Sequence, residues 1–435
     1  MKLKILVILV SLLIAQSLHA EVREYTLSNG LKVIMTEDHK SPLAVFQIWY
    51  KVGSRNEQVG KSGLSHLLEH MMFKGTSKYG PKELSKLVQR YGGTENAFTT
   101  KDYTVYYQRL PSERIGLSIE IESDRMQNLT LDPKETTSEL SVVMEERRLR
   151  YEDDPENLLF EDVMAASFKV YPYHWPVIGW MSDLKSITPE DLRAHYKRYY
   201  CPNNSFIVIA GDIEPDKLIT KIEEGFGKIP PCPEIPAIKS EEPPQRGQRR
   251  VILKKEAELP YVLSVYHAPS FPEKDAYALE VLASVLSGGK SGRLYKNLIY
   301  ERKLALSAFA GFDGTSLGPA LFYIGGSPAP GKDLSEFENA LYEELQKIIT
   351  EPPTSDELRK AKNQIESSFI MNQDSIFFQA ELIGMYEMMG DWRLKDRYIQ
   401  GIREVGVEDL KSVIDKYLTE DRRTVGVLVP VKESR

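Results

Sequence analysis

The sequence predicts an α+β protein made of two homologous α/β-roll domains, a duplication joined by a proline-rich linker. Three observations carry this expectation. A chain of 435 residues, 42% apolar and 27% charged, has the material for two large buried cores. Residues 229–248, IPPCPEIPAIKSEEPPQRGQ, hold six prolines and no apolar period, which marks a connection and not an element. The flanking halves also echo each other. TPEDLRAHYKRYYCPNNSFIVIAGD from Thr188 and VEDLKSVIDKYLTEDRRTVGVLVP from Val407 share a helix-then-strand grammar, with Glu190, Asp191, Leu192 and Tyr199 falling on Glu408, Asp409, Leu410 and Tyr417. The expected divisions are a leader, 1–20; a first domain, 21–228; a linker, 229–248; and a second domain, 249–435.

The first twenty residues open with Lys2 and Lys4, continue in an apolar run from Ile5 to Ala15, and close on the small residue Ala20 before Glu21. That is the pattern of a cleaved secretory signal, and its apolar run is too short to span a bilayer. The expected location is therefore outside the inner membrane, most simply a bacterial periplasm. REYTLSNGLKVIMTED then reads as a hairpin around Asn29-Gly30, and AVFQIWYKVG adds a strand. Helical patterns follow over 62–73, 81–91 (proline in the first turn, Gly92-Gly93 after the end) and 133–151. In the second half PYVLSVYHAP reads as a strand, EKDAYALEVLASVLSG as a helix, and further helices cover 334–349 and the stretch from Ser355 onward. Strands and helices mix without strict alternation, which favours α+β halves over a doubly wound parallel sheet. A formal charge of −7 argues against a nucleic-acid footprint. The only cysteines, Cys201 and Cys232, are compatible with one disulfide or two thiols; the reading leans towards free, inert thiols, because neither sits in a nucleophile or metal pattern.

The segment GLSHLLEHMMFKGT carries the clearest chemistry. His66 and His70 lie at i and i+4, so a helix presents both imidazoles on one face, where they can share a metal ion. Glu69 stands beside them, close enough to act on a metal-bound water without being a ligand. Leu67, Leu68, Met71 and Met72 already supply a packing face, which leaves the polar trio without a structural purpose. The order H-x-x-E-H marks the inverted zincins. A catalytic zinc takes a third protein ligand, and DPKETTSELSVVMEERRLRYEDDP offers it from a second helix. Glu139 and Glu146 share one face there, while Glu145 is rotated by one step; helical geometry alone does not separate Glu145 from Glu146. Either acid also has a simple helix-surface partner, Arg148 for Glu145 and Arg150 for Glu146.

With these residues in hand, nearly the whole chain after the leader resembles the pitrilysin or insulinase family of zinc peptidases, which includes the mitochondrial processing peptidase and its short bacterial relatives. The resemblance implies one Zn2+ per chain, bound by His66, His70 and Glu146, the last in VMEER at the family's spacing from His70. It implies Glu69 as the general base and Glu139 as a support for the metal site. GGTENAFTTKDYTVYY resembles a family stretch at Asn96, Ala97, Thr99, Asp102, Thr104 and Tyr106, which implies peptide binding at Asn96, Ala97 and Thr99 along a strand edge. YHWPVIGW from Tyr173 looks like another family element. The implied activity is a zinc metalloendopeptidase acting on peptides or small unfolded polypeptides; the alternative is a non-catalytic structural or peptide-binding subunit.

One departure from the family pattern stands out. Self-sufficient short members carry an arginine and a tyrosine in the second half that steady the developing oxyanion. In SGRLYKNLIYERKLALSAFAG, from Ser291, those positions fall on Ile299 and Leu306, and Arg293, Tyr300 and Arg302 are out of register. The second domain also lacks a metal motif. The resemblance therefore implies a heterodimer, in which a homologous subunit supplies the arginine and tyrosine.

Overall fold

The computed structural model describes residues 22–431; the expected signal peptide, residues 1–20, lies outside them. The first half contains strands β1 (Val22–Thr26), β2 (Lys32–Glu37), β3 (Leu43–Tyr50), β4 (Thr94–Thr99), β5 (Thr104–Pro111) and β6 (Ser205–Gly211). Its helices are α1 (Leu64–Met71), α2 (Glu83–Arg90), α3 (Gly116–Asn128), α4 (Pro133–Arg147), α5 (Pro155–Ser167), α6 (Met181–Leu184), α7 (Pro189–Tyr199) and α8 (Pro215–Phe226). The second half contains β7 (Arg249–Lys255), β8 (Tyr261–Ala268), β9 (Ala305–Asp313), β10 (Ala320–Pro328) and β11 (Arg423–Pro430). Its helices are α9 (Lys274–Ser287), α10 (Leu334–Thr350), α11 (Ser355–Asn372), α12 (Ile376–Met388), α13 (Lys395–Glu404) and α14 (Val407–Tyr417).

The two sheets have one topology. The first runs β1-β2-β6-β3-β5-β4 and the second β7-β11-β8-β10-β9. In each, one parallel pair, β2 with β6 and β7 with β11, is followed by antiparallel neighbours. Strand β1 is the addition of the first half, paired to β2 through the expected hairpin, where Gly30 takes a left-handed conformation. The matched segments at Thr188 and Val407 occupy equivalent places, as α7 leading to β6 and α14 leading to β11.

Each sheet packs its own helices on one face. The other face is covered by a helix from the opposite half. On the back of the first sheet, Ile34, Val45, Trp49, Val105, Phe206 and Val208 meet Ala380 and Ile383 of α12. On the back of the second, Leu263, Val265 and Leu428 meet Leu159 and Val163 of α5. Burial on both faces explains why β3 is apolar without alternation at every position but Gln47, which is itself buried and accepts the Trp49 indole at 3.0 Å. Lys32 and Glu387, 2.7 Å apart, and the Trp392 indole donating to Glu24 at 2.8 Å, rim the first contact. A second seam joins the strand turns: Tyr173 and the Leu317 amide both donate to Asp102, at 2.6 and 3.1 Å, and Arg55 pairs with it at 3.1 Å.

Residues 230–248 form neither helix nor strand, yet they are pinned. Glu242 accepts the backbone amides of Lys169, Val170 and Tyr171, and Cys232 is joined to Cys201 in a disulfide. The lean towards free thiols is thus corrected. The pairing was illegible because Cys232 sits in an irregular stretch whose return to the end of α7 is fixed only in three dimensions, by Asn203 hydrogen-bonding both backbone groups of Cys232.

The back of the first sheet tolerates α12 only because Gly384 has no side chain: a Cβ there would lie 2.2 Å from the Trp49 ring. Gly384→Val should therefore cost about 1–3 kcal/mol by overpacking. Chemical denaturation reads this as a lowered midpoint, and an unchanged midpoint would contradict the contact.

Candidate metal centre

Helix α1 begins at Gly63, whose positive φ of 96° suits glycine, and a Cβ there would lie 2.6 Å from the Ile178 carbonyl. Its first amides are capped from outside. Glu57 accepts from Gly63 at 2.8 Å and from Ser65 at 2.6 Å, and burial pushes its carboxyl up to about 8 against these two bonds. Leu67, Leu68 and Met71 face the core, which turns His66, Glu69 and His70 towards α4. Helix α4 is set by Asp132, which accepts the amides of Lys134 and Glu135, with Pro133 in the first turn. Its C-terminal end is locked by the buried pair Arg147–Glu161, two contacts of 2.7 Å that reach across to α5.

Glu146 comes to 4.0 Å from His66 Nε2 and 3.5 Å from His70 Nε2, and the three side chains place one ligand atom each within 4.8 Å of one another. A tetrahedral zinc with bonds near 2.0–2.1 Å holds its ligands about 3.4 Å apart, so the donor set fits that ion. Burial, together with His70, pushes the His66 imidazole down to about 4, which leaves it neutral and able to ligate. His70 moves the other way, up to about 9: burial opposes the shift, and hydrogen bonds to Glu139 and Glu146 outweigh it. Glu139 takes His70 Nδ1 at 2.9 Å, leaving Nε2 facing Glu146, and is itself paired with Lys74. A carboxylate in that place could fix the ring if His70 held a metal ion.

Geometry separates the two acids that helical spacing left together. Glu145 is exposed and paired with Arg148 at 2.7 Å, whereas Glu146 is turned inward and meets both histidines while also touching Arg150 at 3.2 Å. Glu69 is half-buried beside them, and this partial burial pushes its carboxyl up, while one of its oxygens accepts the Thr99 hydroxyl at 2.5 Å. Thr99, Ala97 and Asn96 lie on β4, the outermost strand of the first sheet. Asn96 is exposed, and its side-chain oxygen takes the Ala97 amide at 2.9 Å. A cleft of about 560 Å³ opens here, lined by Glu69, His70, Phe73, Asn96 and Glu139. Of the other matched residues, Asp102 joins the halves, Thr104 donates to the Val52 carbonyl at 2.9 Å, and Tyr106 bonds Tyr200 at 2.8 Å.

Three contributors were missed in the sequence: Glu57 as the cap of α1, Lys74 on Glu139, and Thr99 as the partner of Glu69. Lys74 had a signal, since it lies one turn after His70 on the same face. The other two reach in from a loop and a strand, which no periodicity reports.

Two family models match the chain, and the second begins within the first half, just ahead of α7, and runs across residues 230–248 into the second half. Residues 32–179 match the family model described as Insulinase (Peptidase family M16), and residues 186–365 match Peptidase M16 inactive domain. The zinc protease PqqE of Helicobacter pylori is 32% identical over 422 residues, covering 96% of this chain and 94% of that protein. The chain belongs to the M16 peptidase family. A crystal structure of a protease from Helicobacter pylori superposes with a TM-score of 0.91 at 31% identity, over 94% of this chain and all of the other. An uncharacterized zinc protease of Bacillus subtilis, YmxG, is 28% identical over 92% of this chain and 96% of its own. The first half of the periplasmic protease PqqL from Escherichia coli, at 19% identity and a TM-score of 0.77 over 94% of this chain and 92% of that one, shares the fold. The inactive-type M16 match agrees with the ligand geometry: among the described residues, the His66–His70–Glu146 group is the only such cluster, and it lies in the first half.

Removing the Glu57 carboxylate leaves two amides at the start of α1 without an acceptor. Glu57→Ala should cost about 1–3 kcal/mol in unfolding free energy. Loss below a few tenths, measured by urea titration, would show that water replaces it.

Proposed function

We propose that this M16 protein is an exported zinc metalloendopeptidase that hydrolyses peptides or small unfolded polypeptides. The observation that carries the reading is the convergence of two imidazoles and one carboxylate beside a half-buried glutamate, at the mouth of a cleft flanked by an open strand edge. His66, His70 and Glu146 would hold the ion. Zinc bound there supplies a Lewis acid that polarises the scissile carbonyl and lowers the pKa of a water. Glu69, with one oxygen fixed by Thr99 and its carboxyl raised by burial, accepts a proton on the other and delivers it to the leaving amine. Glu139 orients His70, and β4 with Asn96 and Ala97 offers backbone groups to an extended peptide. The leader pattern of residues 1–20 and the Cys201–Cys232 disulfide support an oxidising compartment such as the periplasm, and no helix among the described residues is long and apolar enough to cross a membrane. The complete ligand set favours catalysis over a purely structural role.

The second half supports a division of labour with a homologous subunit. Ile299 packs against the core, and Leu306 is exposed on β9; neither can donate a hydrogen bond. The neighbouring guanidinium groups are engaged elsewhere: Arg293 contacts Glu357 at 3.0 Å and the Glu351 carbonyl at 2.8 Å, and Arg302 contacts Glu343 at 3.1 Å. A partner carrying the arginine and tyrosine would complete the site.

Metal analysis and a quenched-fluorescent peptide test the centre together. Glu69→Gln should keep zinc and lose cleavage, Glu146→Gln should lose zinc, and Glu145→Gln should retain it; full activity of Glu69→Gln would refute the assignment. The purified chain alone should bind zinc yet cleave slowly, and a related subunit with the arginine and tyrosine should restore turnover. Rapid cleavage by the chain alone, unchanged by that subunit, would refute the heterodimer.

A further inference from the structure

The cleft beside the metal centre has an unequal lining. Opposite Glu69, His70 and Asn96 stand Lys82, Ser85, Lys86 and Gln89. These four fall at i, i+3, i+4 and i+7, one face of α2 and the residue before it, while Leu84 and Val88 on the other face are buried in the core. The only acid of this helix, Glu83, is drawn away to the Gly80 amide at 2.7 Å. Lys74, also in the lining, is balanced by Glu139. Lys82 and Lys86 have no such balance: among the described residues neither makes an ion pair. Lys82 further holds a positive φ of 63° without being glycine, with its amide tied to the Phe73 carbonyl at 3.4 Å. A strained residue fixed at the rim of a reactive cleft is where function tolerates such a conformation. The wall is basic in a chain whose formal charge is −7, so it does not follow from overall composition.

We propose that this wall makes the protein select peptides with an aspartate or glutamate next to the scissile bond, the carboxylate held by Lys82 and Lys86. The inference rests on the peptidase reading above and specifies its substrate. An acidic side chain entering the cleft gains two ammonium partners, with Ser85 and Gln89 as further donors, and a lysine or arginine there is repelled. Attraction of one class and rejection of the other both widen the discrimination. Because the lysines are solvent-exposed, the effect is moderate and salt-sensitive.

The test uses the full-length, zinc-loaded Glu69→Gln protein, which should hold peptides without cutting them. Three pools of dye-labelled peptides, random except for one central position fixed as Glu, Ala or Lys, are titrated by fluorescence anisotropy. The Glu pool should bind on the order of fivefold tighter than the Ala pool, and the Lys pool weaker than both, with the differences shrinking as salt rises. Adding Lys82→Ala and Lys86→Ala should erase the order, and Lys86→Glu should raise the affinity of the Lys pool. Equal affinity for all three pools, or an order unchanged by the lysine substitutions, overturns the inference and leaves the peptidase reading standing. Absence of binding by every pool overturns the inference, and the peptidase reading is then decided separately by the zinc content and peptide cleavage of the unsubstituted chain with its partner.

Discussion

The His66–His70–Glu146 cluster depends on how the two halves grip each other. Glu146 reaches the histidines from the last turn of α4, and a helix end is ordinarily the part most free to fray. Here the next residue, Arg147, is buried and doubly bonded to Glu161 of α5, and α5 lies on the back of the second sheet. The position of the carboxylate is therefore set by packing in the half that has no ligands of its own. A static domain carrying α1 alone would present two histidines and no third donor.

The same logic applies on the opposite side of the site. Glu69 is held by Thr99 of β4, and the turn that follows β4 carries Asp102, which takes the Leu317 amide of the second half. Both the helix that carries Glu146 and the strand beside Glu69 are thus tied across the junction. The second half has a cleft of its own, about 560 Å³, at the place equivalent to the metal site, bordered by α9, α11 and β9. Its lining offers Glu280, Ser284 and Ser368 but no histidine. The second half thus has a cleft of similar size in the equivalent place, and the His66–His70–Glu146 group lies in the other half.

Much of this was readable in the residues, for definite reasons. The hairpin at Asn29-Gly30, the helix led by Pro133 and the repeated helix-strand grammar are local signals found where the sequence puts them, whereas Pro81 lies ahead of α2 and not in its first turn, because Lys82 takes a left-handed conformation before the helix starts. His66, Glu69 and His70 were legible because one helix supplies all three. Which of Glu145 and Glu146 faces the histidines was not, since both lie near the same face and each has a surface arginine within reach; the rotation of α4, held by Arg147, turns Glu146 inward and leaves Glu145 on Arg148. The cap by Glu57 and the Cys201–Cys232 link are long-range contacts from irregular segments and leave no period to read. The exchange of α5 and α12 leaves a faint trace, in that IFFQAELIGMYEM is apolar nearly all round, as a helix clasped from two sides must be. What the trace omits is which sheet does the clasping.

That exchange also says something about ancestry. Helices α5 and α12 occupy equivalent places in the two repeats, and each covers the sheet of the other repeat. Two separate copies of a half-length chain, related by a twofold axis, would make the same reciprocal embrace, each lending a helix to its twin. Joining the genes end to end preserves every one of those contacts. It would also leave one repeat free to do without the His66–Glu69–His70–Glu146 group, the lopsided arrangement expected when a symmetric assembly is written into a single polypeptide.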